Sequence, residues 1–142
     1  KGHVAGPELN GTTTAGDLGL GKMASKKKDF IGRVLSQREA LTAPDRQVVV
    51  GIKPVDKTRR LRSGAHIIPK GAMPGPDTDQ GYVTSVCFSP TQNQWLGLGL
   101  VSHGAERHGE IVKAHDPLRN ETYDVELCSP IFYDPEGVRQ RA

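Results

Sequence analysis

The sequence holds two cysteines, no apolar run near twenty residues, no charged-then-apolar leader and no opening methionine. Each absence excludes something. A bilayer-spanning helix needs roughly 20 apolar residues, so none is expected, and without a leader the chain is expected to be soluble and cytoplasmic. Cys87 and Cys128 fall in predicted strands, without the CxxC spacing of a metal site or a larger cysteine framework. Both are expected to be buried free thiols. The chain enters ordinary polar sequence directly at Lys1 and reads as a piece of something longer. Its net charge of +3, from 19 basic and 16 acidic residues that are largely interleaved, gives no footprint for nucleic acid.

Catalytic signatures are missing too. GxSxG, HExxH and a phosphate-cradling glycine loop opening a helix are all absent. The glycines of Gly16-Asp17-Leu18-Gly19-Leu20-Gly21 lack the flanking strand and helix of a dinucleotide site. His103 and His108 stand five apart in a glycine-containing loop, which does not give the same-face geometry of a zinc pair. A nucleophilic thiolate at Cys87 would need an accessible, electropositive setting, whereas Val86 and Phe88 on either side argue for burial. No catalytic residue and no metal ligand is expected.

What the sequence does contain is strand pattern. Seventeen glycines, ten prolines and short apolar runs favour a β-rich domain. Tyr82–Phe88 and Trp95–Val101 flank the turn cluster 89–94 and predict a hairpin, with Gly97 and Gly99 on one face of its second strand and Leu96, Leu98 and Leu100 on the other. The bare glycine face predicts close approach of a neighbouring strand or domain. Gln47–Ile52 reads as a central strand covered on both faces, and 64–68, 111–114 and 123–128 as further strands. Asp29 is placed to N-cap one short helix over 30–41, with Ile31, Val34, Leu35 and Leu41 as its apolar stripe. Residues 1–28 show no sustained apolar period and need a neighbour. Lys26–Lys28 and Arg59, Arg60 and Arg62 form two basic clusters, each read either as a solvated face or as an anion-facing patch. The loop 69–80 suggests disorder or ordering by a partner. The expected fold is mainly β, a small antiparallel β-barrel with one short helix and an irregular N-terminal segment.

Particular residues add a resemblance. Gly81-Tyr82-Val83-Thr84-Ser85, Ser89-Pro90-Thr91 and Leu98-Gly99-Leu100-Val101 resemble the G-x-V-T-S-x-x-x-S-P-T-L…I-A-L-A-x-V hairpin of the aminomethyltransferase (glycine-cleavage T-protein) family, with Gln92 where leucine is usual. Gly6-Pro7-Glu8-Leu9-Asn10-Gly11-Thr12-Thr13-Thr14 and Lys28-Asp29-Phe30-Ile31-Gly32 are similar to the passage closing that family's folate-binding domain, with Asn10 in place of an acid. Ser129-Pro130-Ile131-Phe132-Tyr133-Asp134-Pro135-Glu136-Gly137-Val138-Arg139 resembles the terminus of the α subunits of heterotetrameric sarcosine oxidases.

The resemblance implies three parts: 1–28 as a remnant of a folate-binding domain, 29–45 as helix and linker, and 46–142 as a C-terminal barrel with a docked tail. It implies oxidative demethylation of sarcosine with the one-carbon unit passed to tetrahydrofolate, in a parent complex that also carries FAD, FMN and NAD, none of them held by this chain. It implies as partners the other sarcosine oxidase subunits and the upstream part of the α subunit. Arg46 matches a family folate contact and is read either as that or as an ordinary surface arginine, while Ala5 stands where the family has a folate-contacting tyrosine. Lys26–Lys28 would draw in a polyglutamate tail by charge. This chain would be a wall of the folate site and inactive alone; the alternatives are a stand-alone barrel that binds a protein partner, or the equivalent barrel of a T-protein-type aminomethyltransferase.

Overall fold

A computed structural model describes residues 8–139 and 141; Ala5, Gly6 and Pro7, which carry part of the resemblance, lie outside them. Six strands form at the expected places: β1 Gln47–Pro54, β2 His66–Ile68, β3 Gly81–Ser89, β4 Gln94–Ser102, β5 Ile111–Asp116 and β6 Glu121–Cys128. All pairings are antiparallel and the order β1-β4-β3-β2-β5-β6 closes on itself, so each strand has a partner on both sides. Asparagine closes both tight hairpins. Asn93 (φ 49°) and Asn120 (φ 51°) take the left-handed conformation that asparagine tolerates better than most side chains.

The barrel interior is filled by Val50, Ile52, Ile67, Val83, Val101, Val112, Val125 and Leu127, all essentially without solvent contact. Leu61, from the loop between β1 and β2, is buried with them. Its place explains the two β4 glycines. A Cβ on Gly97 would lie 2.4 Å from Leu61 Cδ2, and one on Gly99 would lie 2.5 Å from Ile52 Cδ1. The bare face of β4 therefore points into the barrel, where it makes room for Leu61 and Ile52. Of the two neighbours expected there, a strand or another domain, the domain is corrected, whereas the β3 backbone does come close, with Tyr82 O 2.8 Å from a Cβ on Gly99. Leu96 and Leu100 are on the outside, yet only 5% and 4% exposed.

Cys87 is also corrected, because it is exposed. Val83 pairs with Gly99 but Ser85 with Leu98, leaving Thr84 as an extra residue in the ladder. Such a bulge reverses the alternation beyond it. Val86 then faces inward against the core and Cys87 outward. Thr84 fixes the irregularity by donating from its hydroxyl to the Leu98 carbonyl (3.1 Å), while its own carbonyl accepts from Ser63 Oγ (2.9 Å). Cys128 is half-buried, and burial pushes its thiol up to about 11.

The single helix expected over 30–41 is two one-turn helices, α1 Arg33–Ser36 and α2 Glu39–Thr42. Gly32 holds the cap position of α1 at φ 92°, and Arg38 is extended between the two turns. Asp29 does not cap; it pairs with Arg33 at 2.7 Å. Neither helix buries a residue, so the apolar stripe read there is not core. The loop 69–80 carries a short helical turn at Pro76–Thr78 and is tied down by the Thr78 hydroxyl on the Met73 carbonyl (2.8 Å) and by Gln80 N–H on Ile67 O (2.8 Å).

After β6 the tail folds back across β1. Gly51 faces outward there, and a Cβ on it would meet Ser129 O at 2.4 Å and the Phe132 ring at 2.8 Å. Gln92, in the β3–β4 turn, donates from its side-chain amide to the Phe132 carbonyl (2.6 Å). The residue that departs from the family's leucine thus makes a polar clasp on the tail.

Candidate functional site

The Arg46 guanidinium lies where the irregular N-terminal layer, α2 and the start of β1 meet. Nε donates to Asp17 Oδ1 (3.1 Å) and Nη1 to the Ala40 carbonyl (2.9 Å), while Nη2 bonds both Asp17 Oδ2 and the Thr12 carbonyl. The fork is therefore bidentate to one carboxylate, and its remaining bonds hold two further segments.

Asp17 answers in kind. Its Oδ2 also accepts from the Thr14 backbone N–H (2.7 Å) and the Thr14 hydroxyl (2.9 Å), and its own carbonyl accepts from Val49 N–H in β1 (2.7 Å). Burial by itself would raise this carboxyl, but the Arg46 fork and the two Thr14 donors outweigh it and hold Asp17 below the usual carboxylate range. The carboxylate raises the Arg46 guanidinium in turn. Both are charged near neutrality, and the pair is largely shielded, with side-chain exposures of 17% and 8%.

Arg46 borders two hollows. One, of about 230 Å³, is lined by Asn10, Thr12, Thr13, Gln47, Tyr82 and Leu100 beside it. The other, of about 420 Å³, lies under the N-terminal layer, with Thr14, Asp17, Phe30 and Leu41 among its walls. Asn10, which replaces the family's acid, still acts as the local acceptor: its Oδ1 takes Thr12 N–H (2.9 Å), Thr12 Oγ1 (2.6 Å) and Thr13 Oγ1 (2.9 Å). Glu8, 2% exposed, has no hydrogen-bond partner for either carboxylate oxygen among the described residues.

The sequence singled out Arg46 and missed Asp17. Its spacing from Thr14 is the one local signal, since a carboxylate three residues on reaches back to a threonine N–H; the bond across 29 residues to Arg46 leaves no trace in composition. The two basic clusters differ. Lys26, Lys27 and Lys28 are exposed, and no ion pair involves them among the described residues. Arg59 and Arg60, by contrast, are pinned to the barrel: Arg59 pairs with Glu121 (2.8 Å) and stacks over Tyr123, and Arg60 lies over Trp95. His66 and His115 are cross-strand partners lining a hollow of about 410 Å³, with Nδ1 of His66 on Asp79 (2.9 Å). His103 stands in the left-handed region before a short turn. Among the described residues no three histidine, cysteine, aspartate or glutamate side chains form a group that could hold a metal, and no helix is long and apolar enough to cross a membrane.

A closed six-stranded antiparallel barrel with an arginine-tethered N-terminal layer defines the class of module. Residues 47–134 match the model of the glycine cleavage T-protein C-terminal barrel domain, and the chain belongs to that family. It is similar to the sarcosine oxidase subunit alpha of Rhizobium meliloti (strain 1021), 47% identical over 140 residues, which is 98% of this chain and 14% of that protein. The corresponding subunit of Corynebacterium sp. (strain P-1) is 35% identical over 96% of the chain. An aminomethyltransferase of Thermosipho melanesiensis is 30% identical over 90% of the chain and 32% of its own length. The crystal structure of the glycine cleavage system aminomethyltransferase T from Bartonella henselae has the same fold, with TM-score 0.66 at 23% identity over 87% of this chain and 33% of that one. The chain thus spans 14% of the sarcosine oxidase subunits and about a third of the aminomethyltransferases.

Proposed function

We propose that this chain is the C-terminal part of a sarcosine oxidase α subunit, working with the rest of that subunit and its partner subunits in the oxidative demethylation of sarcosine. The observation that carries the reading is one continuous match of 140 residues at 47% identity, running through the N-terminal layer, the barrel and the tail. Aminomethyltransferases match at lower identity, and over 90–92% of the chain.

Within that protein the barrel is a scaffold wall of a tetrahydrofolate site. Residues 1–28 are the end of the folate domain, 29–45 the helix and linker, and 46–142 the barrel with its tail. Arg46 serves the site at its edge. Four of its N–H groups already have partners and its charge is balanced by Asp17, so its part at the edge of the site is to orient the N-terminal layer rather than to offer a free fork. The unpaired lysines 26–28 supply longer-range attraction for an anionic tail. In this reading the flavin chemistry belongs to the rest of the complex.

Two measurements test this. The coding sequence upstream of Lys1 is expected to run on for several hundred codons, and a start codon immediately before Lys1 would sink the proposal. Calorimetric titration with tetrahydrofolate is expected to give no measurable binding by the 142-residue chain and saturable binding by the longer protein. Tight binding by the short chain alone would contradict the division of labour.

A further inference from the structure

Residues 23–35 carry an unusual surface. Met23 is 78% exposed, Ile31 104%, Val34 79%, Leu35 53% and Phe30 41%. Single exposed apolar residues are ordinary; several together mark a contact surface. The two segments that carry them flank one hollow: Phe30 and Ser36 border the same 420 Å³ hollow as Gly21 and Ala24, on either side of Met23, and α1 carries Val34 and Leu35 three and four residues beyond Ile31. The backbone presenting them is fixed, since Ser36 N–H bonds Gly32 O (2.8 Å) and Arg33 is held by Asp29.

We infer that this patch is the seat of the polypeptide that precedes Lys1 in the longer protein, an inference that rests on the functional reading above. Three observations select that occupant. The patch lies outside the barrel match, which begins at residue 47, so barrel packing alone does not account for it. The matched module is the C-terminal one of its family, so the remaining chain lies on the N-terminal side, next to these residues in sequence. Relatives that match 90–98% of this chain extend to about three and seven times its matched length, enough to supply a domain-sized partner. Covering the five side chains removes from water apolar surface that the isolated chain leaves wet. The seat is apolar, so its counterpart is an apolar face of the preceding domain rather than an anionic ligand.

The chain's two methionines make the test internal. Met73, 82% exposed on the 69–80 loop, is the reference for Met23. Peroxide oxidation followed by peptide mass spectrometry is expected to give similar rates for the two in the 142-residue chain. In the longer protein Met23 is expected to slow at least tenfold relative to Met73, and Ile31→Glu with Val34→Glu is expected to restore its rate to within about twofold. Equal rates in the longer protein would overturn the inference while leaving the functional reading intact. Protection of Met23 in the short chain together with a dimeric mass by light scattering would overturn it in favour of a second copy. A gene with no coding sequence upstream would overturn both.

Discussion

Leu61 and Gly97 form a contact that a double-mutant cycle can weigh. Leu61 is fully buried and reaches the site where a Cβ on Gly97 would stand 2.4 Å from its Cδ2. Leu61→Ala leaves a void in the barrel and is expected to cost about 2–5 kcal/mol. Gly97→Ala in the natural background forces Leu61 off its rotamer or the strand outward, a strain of about 1–3 kcal/mol. Combined, the two changes relieve each other. With Leu61 shortened, the nearest atoms to the new methyl are Ser85 O at 3.1 Å and Val83 Cγ1 at 3.4 Å, a tight but adjustable fit, and alanine costs less unfolded-state entropy than glycine. The double variant is therefore expected to be no less stable than Leu61→Ala alone, a coupling of about 1–3 kcal/mol. Urea unfolding followed by the fluorescence of Trp95, which packs partly against the core, measures all four corners of the cycle. Additivity within about 0.5 kcal/mol would refute the claim that Gly97 makes room for the Leu61 side chain.

Four other outcomes follow from single contacts. Arg46→Ala strands the shielded Asp17 carboxylate and is expected to destabilise the chain by about 3 kcal/mol, with proteolysis opening first between residues 10 and 45. Because Asp17 is held below its ordinary value, its contribution is present at neutral pH and is lost as pH falls through about 4 and below; Asp17→Asn is expected to flatten the acid limb of the stability profile, and an unchanged limb would be evidence against the pairing. A thiol reagent at pH 8 is expected to modify one cysteine per native chain quickly, Cys87, because Cys128 is half-buried and its thiol is pushed to about 11; two equally fast sites would contradict the burial of Cys128, and an unreactive Cys87 would contradict the bulge at Thr84. Gln92→Leu restores the family residue but removes the donor to Phe132 O, and is expected to cost about 1 kcal/mol and to speed proteolysis after residue 129.

The strands were legible because alternation and turn residues are local. All six fall where β-branched and aromatic runs stop at glycine, proline or asparagine, and the two hairpin asparagines take the positive φ that their type permits. What failed was whatever a single local event can invert. One bulge residue, Thr84, moved Cys87 from inside to outside. Gly97 and Gly99 were read as a bare face open to a neighbouring strand or domain, because composition gives the two faces of β4 without saying which is in; Leu61, from a loop 36 residues before Gly97, and Ile52 show that it is the inner one. The helix over 30–41 split because Gly32 and Arg38 adopt non-helical conformations that its apolar spacing does not report. Of the candidate site, Arg46 was legible by resemblance, whereas its partner Asp17 was hidden in a glycine-rich stretch that was weighed only as a dinucleotide site and rejected.

The orientation of β4 also explains why the chain carries more than its barrel. Turning the glycines inward puts Leu96, Leu98 and Leu100 outward, where a bare sheet would leave a greasy strip exposed. The opposite wall has no such problem: Lys53 pairs across to Glu126 (3.4 Å) and Lys113 to Asp124 (2.9 Å), a charged ladder suited to water. On β4, Leu96 and Leu98 share a hollow with Pro130 and Phe132 of the tail, and Leu100 shares one with Asn10, Thr12 and Thr13 of the N-terminal layer. Each end of the chain thus borders one end of the same strip, and Gln92 and Arg46 are the polar clasps that hold them there. Removing either end is expected to expose a leucine rather than merely shorten the protein. Truncation at residue 46 or at residue 129 should therefore lower solubility and raise dye binding to apolar surface, and truncations as soluble as the full chain would show that the strip is covered by something else.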